Sequence, residues 1–497
     1  MSMIKKLASQ TAIYGLSTIL GRFINYLLVP LYTYYLSTVS DYGVVNVMFA
    51  YASLFSVVFM FGLETAFFHF AQQTNKPERV FSTAANFLMV TGFVWVILAK
   101  YFSQPIMNYI EYPEHPEYAL WFTMILAIDA ISSIGFAWLR NQQQPWKFAI
   151  IKLSNIFINV GCNIFLIVVC PILYKNGYEW AYTWSQPENM VSNIFLSNLI
   201  ASLATFPMLF KTWGNLKWGI DTDLLKKMLH YAYPLIFIGL AGMINETFDR
   251  ILIKKLTPNG LGDYEASIYS AFYKLSLVLT LFVQAFRFSV EPFFFQQAKS
   301  LDAKQSYAYV MKWFVYAVSI IYLFTIIVIP YVAPLLIQNK SYFEHPNGMK
   351  IVPILLAANL FLGVYYTLSV WYKVSAQTKI GSLPAFGGAI ITLLLNYILI
   401  PQMGFMGAAY TTMITYASMV VFGFLLCKKY YPIPYQLFPI LFSLFLSFSL
   451  GYLVLNLPDG FLGIASKSLS LLILVAFIYI FEKRFNQSPI AHDNREN

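Results

Sequence analysis

Charge is scarce in this chain. Only 11% of its 497 residues are Asp, Glu, Lys or Arg, while 59% are apolar; globular domains usually carry about 25% charged residues. So little charge cannot cover the surface of a soluble protein of this length, which excludes a soluble enzyme and a disordered scaffold as main readings. Cysteine is scarce as well. Cys162, Cys170 and Cys427 all lie in or at the ends of apolar runs, and their spacing fits neither a metal site nor a disulfide framework. Acidic residues are the rarer sign, 22 against 32 basic ones, for a net charge of +10. In a chain this apolar the basic excess reads as membrane topology rather than nucleic-acid binding, because cytoplasmic loops collect Lys and Arg. A Walker motif is missing too, which argues against nucleotide hydrolysis by the chain itself.

What the sequence has in abundance is long apolar runs. A helix needs about 20 mostly apolar residues to cross the hydrocarbon layer. A β-barrel would instead show short alternating segments, and runs such as Val315–Ile329 do not alternate. The runs predict an all-α polytopic membrane protein of fourteen spans, near 9–36, 43–71, 80–108, 118–140, 147–174, 190–210, 228–254, 264–298, 306–337, 349–372, 381–400, 405–427, 434–456 and 461–481. The first run is too long for a signal-peptide core and reads as a retained span. Connections are short, and none holds an inserted soluble domain. Lys and Arg concentrate at the span ends on the side of the N-terminus, which predicts that both termini are cytoplasmic.

The chain also echoes itself. Trp138-Leu139-Arg140 and Trp371-Tyr372-Lys373 each close the fourth helix of a half, Asn163 and Asn396 each sit in a fifth helix, and Gln72-Gln73 and Gln296-Gln297 each end a second helix. Six spans separate the copies, so the two halves share one topology. The expected organisation is an N-terminal six-helix lobe at 1–215, a pseudo-symmetric C-terminal six-helix lobe at 221–430, two additional helices at 434–482 and a cytoplasmic tail at 483–497.

Three segments carry a family likeness: Thr11-Ala12-Ile13-Tyr14-Gly15 leading to Leu28-Val29-Pro30-Leu31-Tyr32 and Asp41-Tyr42-Gly43; Phe248-Asp249-Arg250-Ile251-Leu252-Ile253 followed by Ile268-Tyr269-Ser270; and Leu395-Asn396-Tyr397-Ile398-Leu399-Ile400-Pro401 followed by Gly404-Phe405-Met406-Gly407-Ala408-Ala409. Over nearly its whole length the chain resembles the polysaccharide flippases of the multidrug/oligosaccharidyl-lipid/polysaccharide exporter superfamily. The resemblance implies two six-helix lobes working by alternating access. It also implies a polyprenyl-pyrophosphate-linked glycan as cargo, moved from the cytoplasmic to the outer leaflet of a bacterial inner membrane. Other polysaccharide-assembly proteins are expected partners beside the bilayer, and nucleic acid is not.

Moving such a lipid is a solvation problem, because its diphosphate and sugars cannot cross hydrocarbon unaided. Ionisable residues inside spans are costly and usually face a cavity. Arg22, with Asn25 on the same helix face, is the first candidate for binding the diphosphate, since Arg offers a planar fork of donors. Lys274 and Arg287 in the eighth span are the others. Glu291 lies one turn beyond Arg287, at a spacing that allows the two to pair, next to the helix-breaking Pro292. In the seventh span Glu246, Asp249 and Arg250 suggest an ion pair or an outer gate, with Glu246 and Arg250 at i, i+4. Glu64 and Asp129 are candidate sites for coupling to a proton or sodium gradient. No bound cofactor or metal is expected.

Three other classes compete. A lipid II flippase would share the mechanism with a different sugar head. A cation-coupled multidrug antiporter would have twelve functional spans and an acid-dominated cavity, whereas Arg22, Arg250, Lys274 and Arg287 are embedded bases. An integral-membrane glycosyltransferase would need an acidic or metal-binding loop. The Glu111/Glu114/Glu117 loop is the nearest match, but prolines interrupt it and it lacks an Asp-x-Asp.

Overall fold

A computed structural model describes residues 15–485 apart from Leu16, Thr18, Arg22, Asn25, Pro187, Glu188, Lys299, Ala376, Asp459 and Gly460. The protein is all-helical, as the apolar runs predict. Its helices are α1 (Leu28–Tyr35), α2 (Val39–Gln72), α3 (Pro77–Ile110), α4 (Glu117–Asn141), α5 (Pro145–Lys175), α6 (Met190–Met208), α7 (Thr222–Leu256), α8 (Gly262–Gln297), α9 (Ala303–Leu336), α10 (Ile351–Val374), α11 (Lys379–Met403), α12 (Phe405–Tyr430), α13 (Leu437–Leu455) and α14 (Phe461–Phe485). Among the described residues, thirteen helices are long and apolar enough to cross a membrane. Helices are the expected solution, since each satisfies its own backbone where water is missing.

Local chemistry sets several boundaries. Thr38 caps α2, accepting from the Asp41 N–H at 3.3 Å while Asp41 accepts from the Thr38 N–H at 2.8 Å, a reciprocal capping box. Within the α2 span, Phe61 and Gly62 both adopt left-handed backbone, with φ of 49° and 64°. Glycine tolerates this conformation, and a Cβ on Gly62 would also press within 3.2 Å of the Ala232 carbonyl of α7. Within α5, one π-helical turn occupies Phe165–Val169.

Packing groups the chain into two compact units. Unit 1 comprises Met1–Ala271, Leu336–Gly348 and Ala385–Thr411; unit 2 comprises Phe272–Leu335, Met349–Pro384 and Thr412–Asn497. Each holds a core that echoes the other. In unit 1, Phe67 of α2, Phe81 of α3 and Trp138 of α4 are buried together. In unit 2, Phe294 of α8, Tyr307 of α9 and Trp371 of α10 are buried together. Helices two, three and four of one repeat thus converge on a tryptophan at the end of the fourth, and so do helices eight, nine and ten.

The C-terminal hairpin is bound into unit 2 by packing and by charge. Gly451 of α13 faces Tyr322 and Ile326 of α9, both within 3.1 Å of where a Cβ would stand. Lys312 of α9 is fully buried. Its ammonium lies 2.9 and 3.0 Å from the two carboxylate oxygens of Glu482 on α14, and Tyr316 donates to the same carboxylate at 3.0 Å. Removing one partner from such a pair strands the other charge and typically costs about 3–5 kcal/mol. Glu482→Ala should therefore lower the thermal midpoint strongly in detergent, and adding Lys312→Met to it should restore most of the loss.

At the other end of unit 1, Asp221 caps α7. Its carboxyl is held below the usual carboxylate range first by the Leu224 N–H, at 3.2 Å, and then by the contacting Arg79 guanidinium. A lowered folded-state pKa gives stability that is present above the ordinary Asp value and lost as pH falls through the lowered one. Asp221→Asn should keep the cap, remove the Arg79 charge pair and flatten this part of the acid sensitivity of the thermal midpoint.

Candidate functional site

The charged side chains of the spans fall into distinct settings. In unit 1, α7 places Asp249 and Arg250 in a nearly dry cluster. The Arg250 guanidinium donates to the Asp249 carboxylate at 2.7 Å and to the Glu246 carbonyl at 2.5 Å, and it lies 5.4 Å from the Tyr269 ring centroid. Tyr269 of α8 donates to the other Asp249 oxygen at 2.5 Å. The i, i+4 pairing expected between Glu246 and Arg250 is not what holds the arginine. Asp249 is its carboxylate partner, and the Glu246 residue is exposed. The reason is tertiary: Tyr269 fixes the Asp249 carboxylate, and a fixed acceptor costs the arginine less entropy to reach than a solvated, rotating one.

Glu64 follows the α2 break and meets Arg140 at the end of α4, at 3.0 Å, with both side chains about 40% exposed (38% and 44%). Arg140 also lies 4.8 Å from the Phe68 ring centroid. Glu64 thus closes an ion pair near the helix ends. Asp129, midway along α4, is exposed; Ser202 of α6 donates to its carboxylate, and Lys152 of α5 adds a favourable field. Arg22 and Asn25 lie outside the described residues.

In unit 2, Arg287 of α8 stands 4.9 Å from the Tyr366 ring centroid on α10. Both line a crevice with Thr367 and Lys373. Its volume is about 20 Å³, room for roughly one water. Two bases, a phenol and a hydroxyl on facing helices form a set that can hydrogen-bond phosphate oxygens. Lys274 is half-buried in α8, more than three turns before Arg287. Glu291 continues the same helix, and its side chain lies outside the described residues.

In the sequence Lys373 marks only the end of a helix, within Trp371-Tyr372-Lys373. Its spacing from Thr367 and Tyr366 on α10 was visible, but its neighbour Arg287 comes from a different helix. The repeated asparagines also differ. Asn163 accepts from Tyr32 at 3.0 Å and donates to Asn159, whereas Asn396 is fully buried with neither amide atom hydrogen-bonded among the described residues.

Sequence reasoning also missed a polar closure in unit 1. It joins the end of α3 to the α7–α8 connection. Lys254 donates to Asp263 at 2.5 Å, approaches Glu111 at 3.9 Å and lies 4.8 Å from the Tyr112 ring centroid. Tyr112 donates to the same Asp263 at 2.6 Å. Burial, reinforced by the Asp263 charge, pushes the Tyr112 phenol well above its ordinary pKa, so it remains a donor. Nearby, the Gln338 N–H donates to Thr33 at 3.2 Å, and Tyr342 packs edge-on against Tyr42. These contacts join segments far apart in sequence through a few hydrogen bonds, a construction that can open. Asp263→Asn should weaken both donors' acceptor. In a background with the three native cysteines replaced by Ala, labelling of a Thr33→Cys probe by a water-soluble maleimide should rise several-fold; unchanged labelling would remove the closure role.

Comparisons with known proteins agree with this architecture. A family model described as polysaccharide biosynthesis protein matches residues 7–297. No curated protein sequence matches the chain. A solved structure of the lipid II flippase MurJ in an inward closed conformation is similar, with a TM-score of 0.68 at 16% identity, covering 95% of this chain and 99% of that one. An outward-facing multidrug resistance MATE family transporter of the MOP superfamily is also similar, with a TM-score of 0.61 at 12% identity, covering 85% and 95%. The protein therefore belongs to the polysaccharide biosynthesis protein family and has the fold seen in the MurJ and MATE transporter structures.

Proposed function

We propose that this protein moves a polyprenyl-pyrophosphate-linked oligosaccharide from the cytoplasmic to the outer leaflet of a bacterial inner membrane, for O-antigen, capsule or exopolysaccharide synthesis. In this reading both termini are cytoplasmic, the lobes at 1–215 and 221–430 alternate access, and the Lys254–Asp263 closure is the outer gate. It is a transporter, not an enzyme.

The observation that carries the reading is the family match together with bases held at membrane depth. A diphosphate leaving water needs replacement donors, and Arg supplies two parallel ones. Arg287 with Lys373 offers a two-cation pair on α8 and α10, whose crevice of about 20 Å³ must widen before a diphosphate can enter, and Arg22 with Asn25 supplies donors from the first span in sequence. Lys274 extends the cationic side of α8. The polyprenyl tail needs no such help, because it stays in hydrocarbon. Asp129 is the group assigned to proton or sodium coupling, an ionisable side chain midway along a span that Ser202 and Lys152 approach. Glu64, Asp249, Arg250, Glu246 and Glu291 serve the gates and pairs around that path.

A second reading takes lipid II as cargo, supported by the fold match, since the MurJ structure superposes with a TM-score of 0.68 against 0.61 for the outward-facing MATE transporter. The chemistry of the diphosphate seat is common to both, and the sugar distinguishes them.

The test is a leaflet assay on proteoliposomes. Wild-type protein should carry polyprenyl-pyrophosphoryl sugar to the far leaflet. Arg22→Ala should abolish this and Arg287→Gln should slow it at least tenfold, while both variants insert and keep their thermal midpoints. Full activity in both variants would remove the diphosphate seat, and transport of lipid II in preference to oligosaccharide carriers would establish the second reading.

A further inference from the structure

Unit 1 contains a cavity of about 620 Å³ between α2, α3 and α4 that the transport reading does not use. Its walls are almost entirely hydrocarbon, led by Met48, Phe55, Phe59, Trp95, Phe102 and Leu126. The Thr123 hydroxyl in the wall is spent on the Ala119 carbonyl, at 2.7 Å.

The helices explain the gap. α3 leans on α4, where Gly92 brings the backbone close to Ala127; a Cβ there would stand 3.1 Å from the Ala127 Cβ. Toward its end, Pro105 lacks the N–H that would bond the Tyr101 carbonyl. α3 therefore stays with α4 and parts from α2. The groove follows α3 from Trp95 to Tyr109, which at 1.5 Å per residue is about 21 Å. One leaflet of hydrocarbon is about 15 Å deep, half of a typical core. The groove is thus as long as an acyl chain's path from the interface past the middle of the bilayer. It is open along its side, where Phe102 is 54% exposed and Tyr109 74% exposed.

The mouth carries the complementary polar groups. Tyr51 and Tyr109 line it, and the Lys255 ammonium lies 3.9 Å from the Tyr109 ring centroid while donating to the Tyr109 carbonyl at 3.1 Å. The other charges nearby are Lys254, Asp263 and Glu111. Lys254 engages Asp263 and approaches Glu111, whereas Lys255 makes no carboxylate contact among the described residues. Tyrosine and lysine in this arrangement suit the headgroup level of a membrane.

We propose that this groove is a resident phospholipid site, with one acyl chain between α2 and α3 and the lipid phosphate on Lys255. The groove and its rim are the same whatever the cargo. Because Lys255 adjoins Lys254, occupancy also steadies the Lys254–Asp263 closure.

The full-length protein in phosphatidylethanolamine/phosphatidylglycerol nanodiscs, doped with phospholipid brominated along its acyl chains, tests this. Bromine quenches tryptophan on contact, and the difference between wild type and Trp95→Phe isolates the Trp95 signal. That signal should be quenched to saturation at a low fraction of brominated lipid. Ala52→Phe, which fills the groove, should cut the quenching at least threefold. Lys255→Gln should raise the half-quenching fraction several-fold. Should Ala52→Phe unfold, as its detergent thermal midpoint would show, Phe55→Ser at the exposed rim should give the same loss. Quenching that rises linearly with bulk lipid and ignores these substitutions would overturn the site. Displacement by equimolar polyprenyl phosphate would also overturn it, assigning the groove to a prenyl chain instead.

Discussion

Removing an ammonium or a carboxylate from water costs several kcal/mol per ion even after relaxation, and that cost orders the charged side chains of this protein. Some are paired in a dry interior, as Arg250 is with Asp249 and Lys312 with Glu482. Others pair where water reaches, as Arg140 does with Glu64. A third kind lies exposed along a span and meets polar or aromatic side chains, as Asp129 and Arg287 do. The first kind holds helices together in a dry interior. The transport reading rests on the last kind and not on the more conspicuous α7 cluster.

Much of the fold was legible because bilayer thickness imposes a length scale on the sequence. The predicted spans match the observed helices to within a few residues along most of the chain; the eighth, expected at 264–298, is Gly262–Gln297. The burial of Trp138 and Trp371 was legible because large aromatic residues closing a helix must find a core. The left-handed pair Phe61–Gly62 and the π turn at Phe165–Val169 were not legible. Both are decided by what packs alongside, such as Ala232 against Gly62, rather than by the residues' own preferences.

The site was legible in part. Residue type and depth identify the ionisable groups, but partners come from other helices. The spacing of Glu246 and Arg250 suggested a local pair, yet Tyr269 on the next helix decides which carboxylate the arginine meets. Nothing near Lys312 in the sequence announces Glu482, 170 residues later, as its partner. The groove between α2 and α3 has no sequence signature at all. Apolar residues lining a gap and apolar residues filling a core read alike, and only the lean of α3 toward α4 tells them apart.

The Lys312–Glu482 pair also bears on how the chain could have gained its last two helices. A twelve-helix version ending after α12 would leave Lys312 without the Glu482 carboxylate. The lysine and the hairpin are therefore expected to have been acquired together, or the hairpin to have come first with an apolar residue at that place. Transplanting α13 and α14 onto a shorter relative would need the α9 lysine moved along with them.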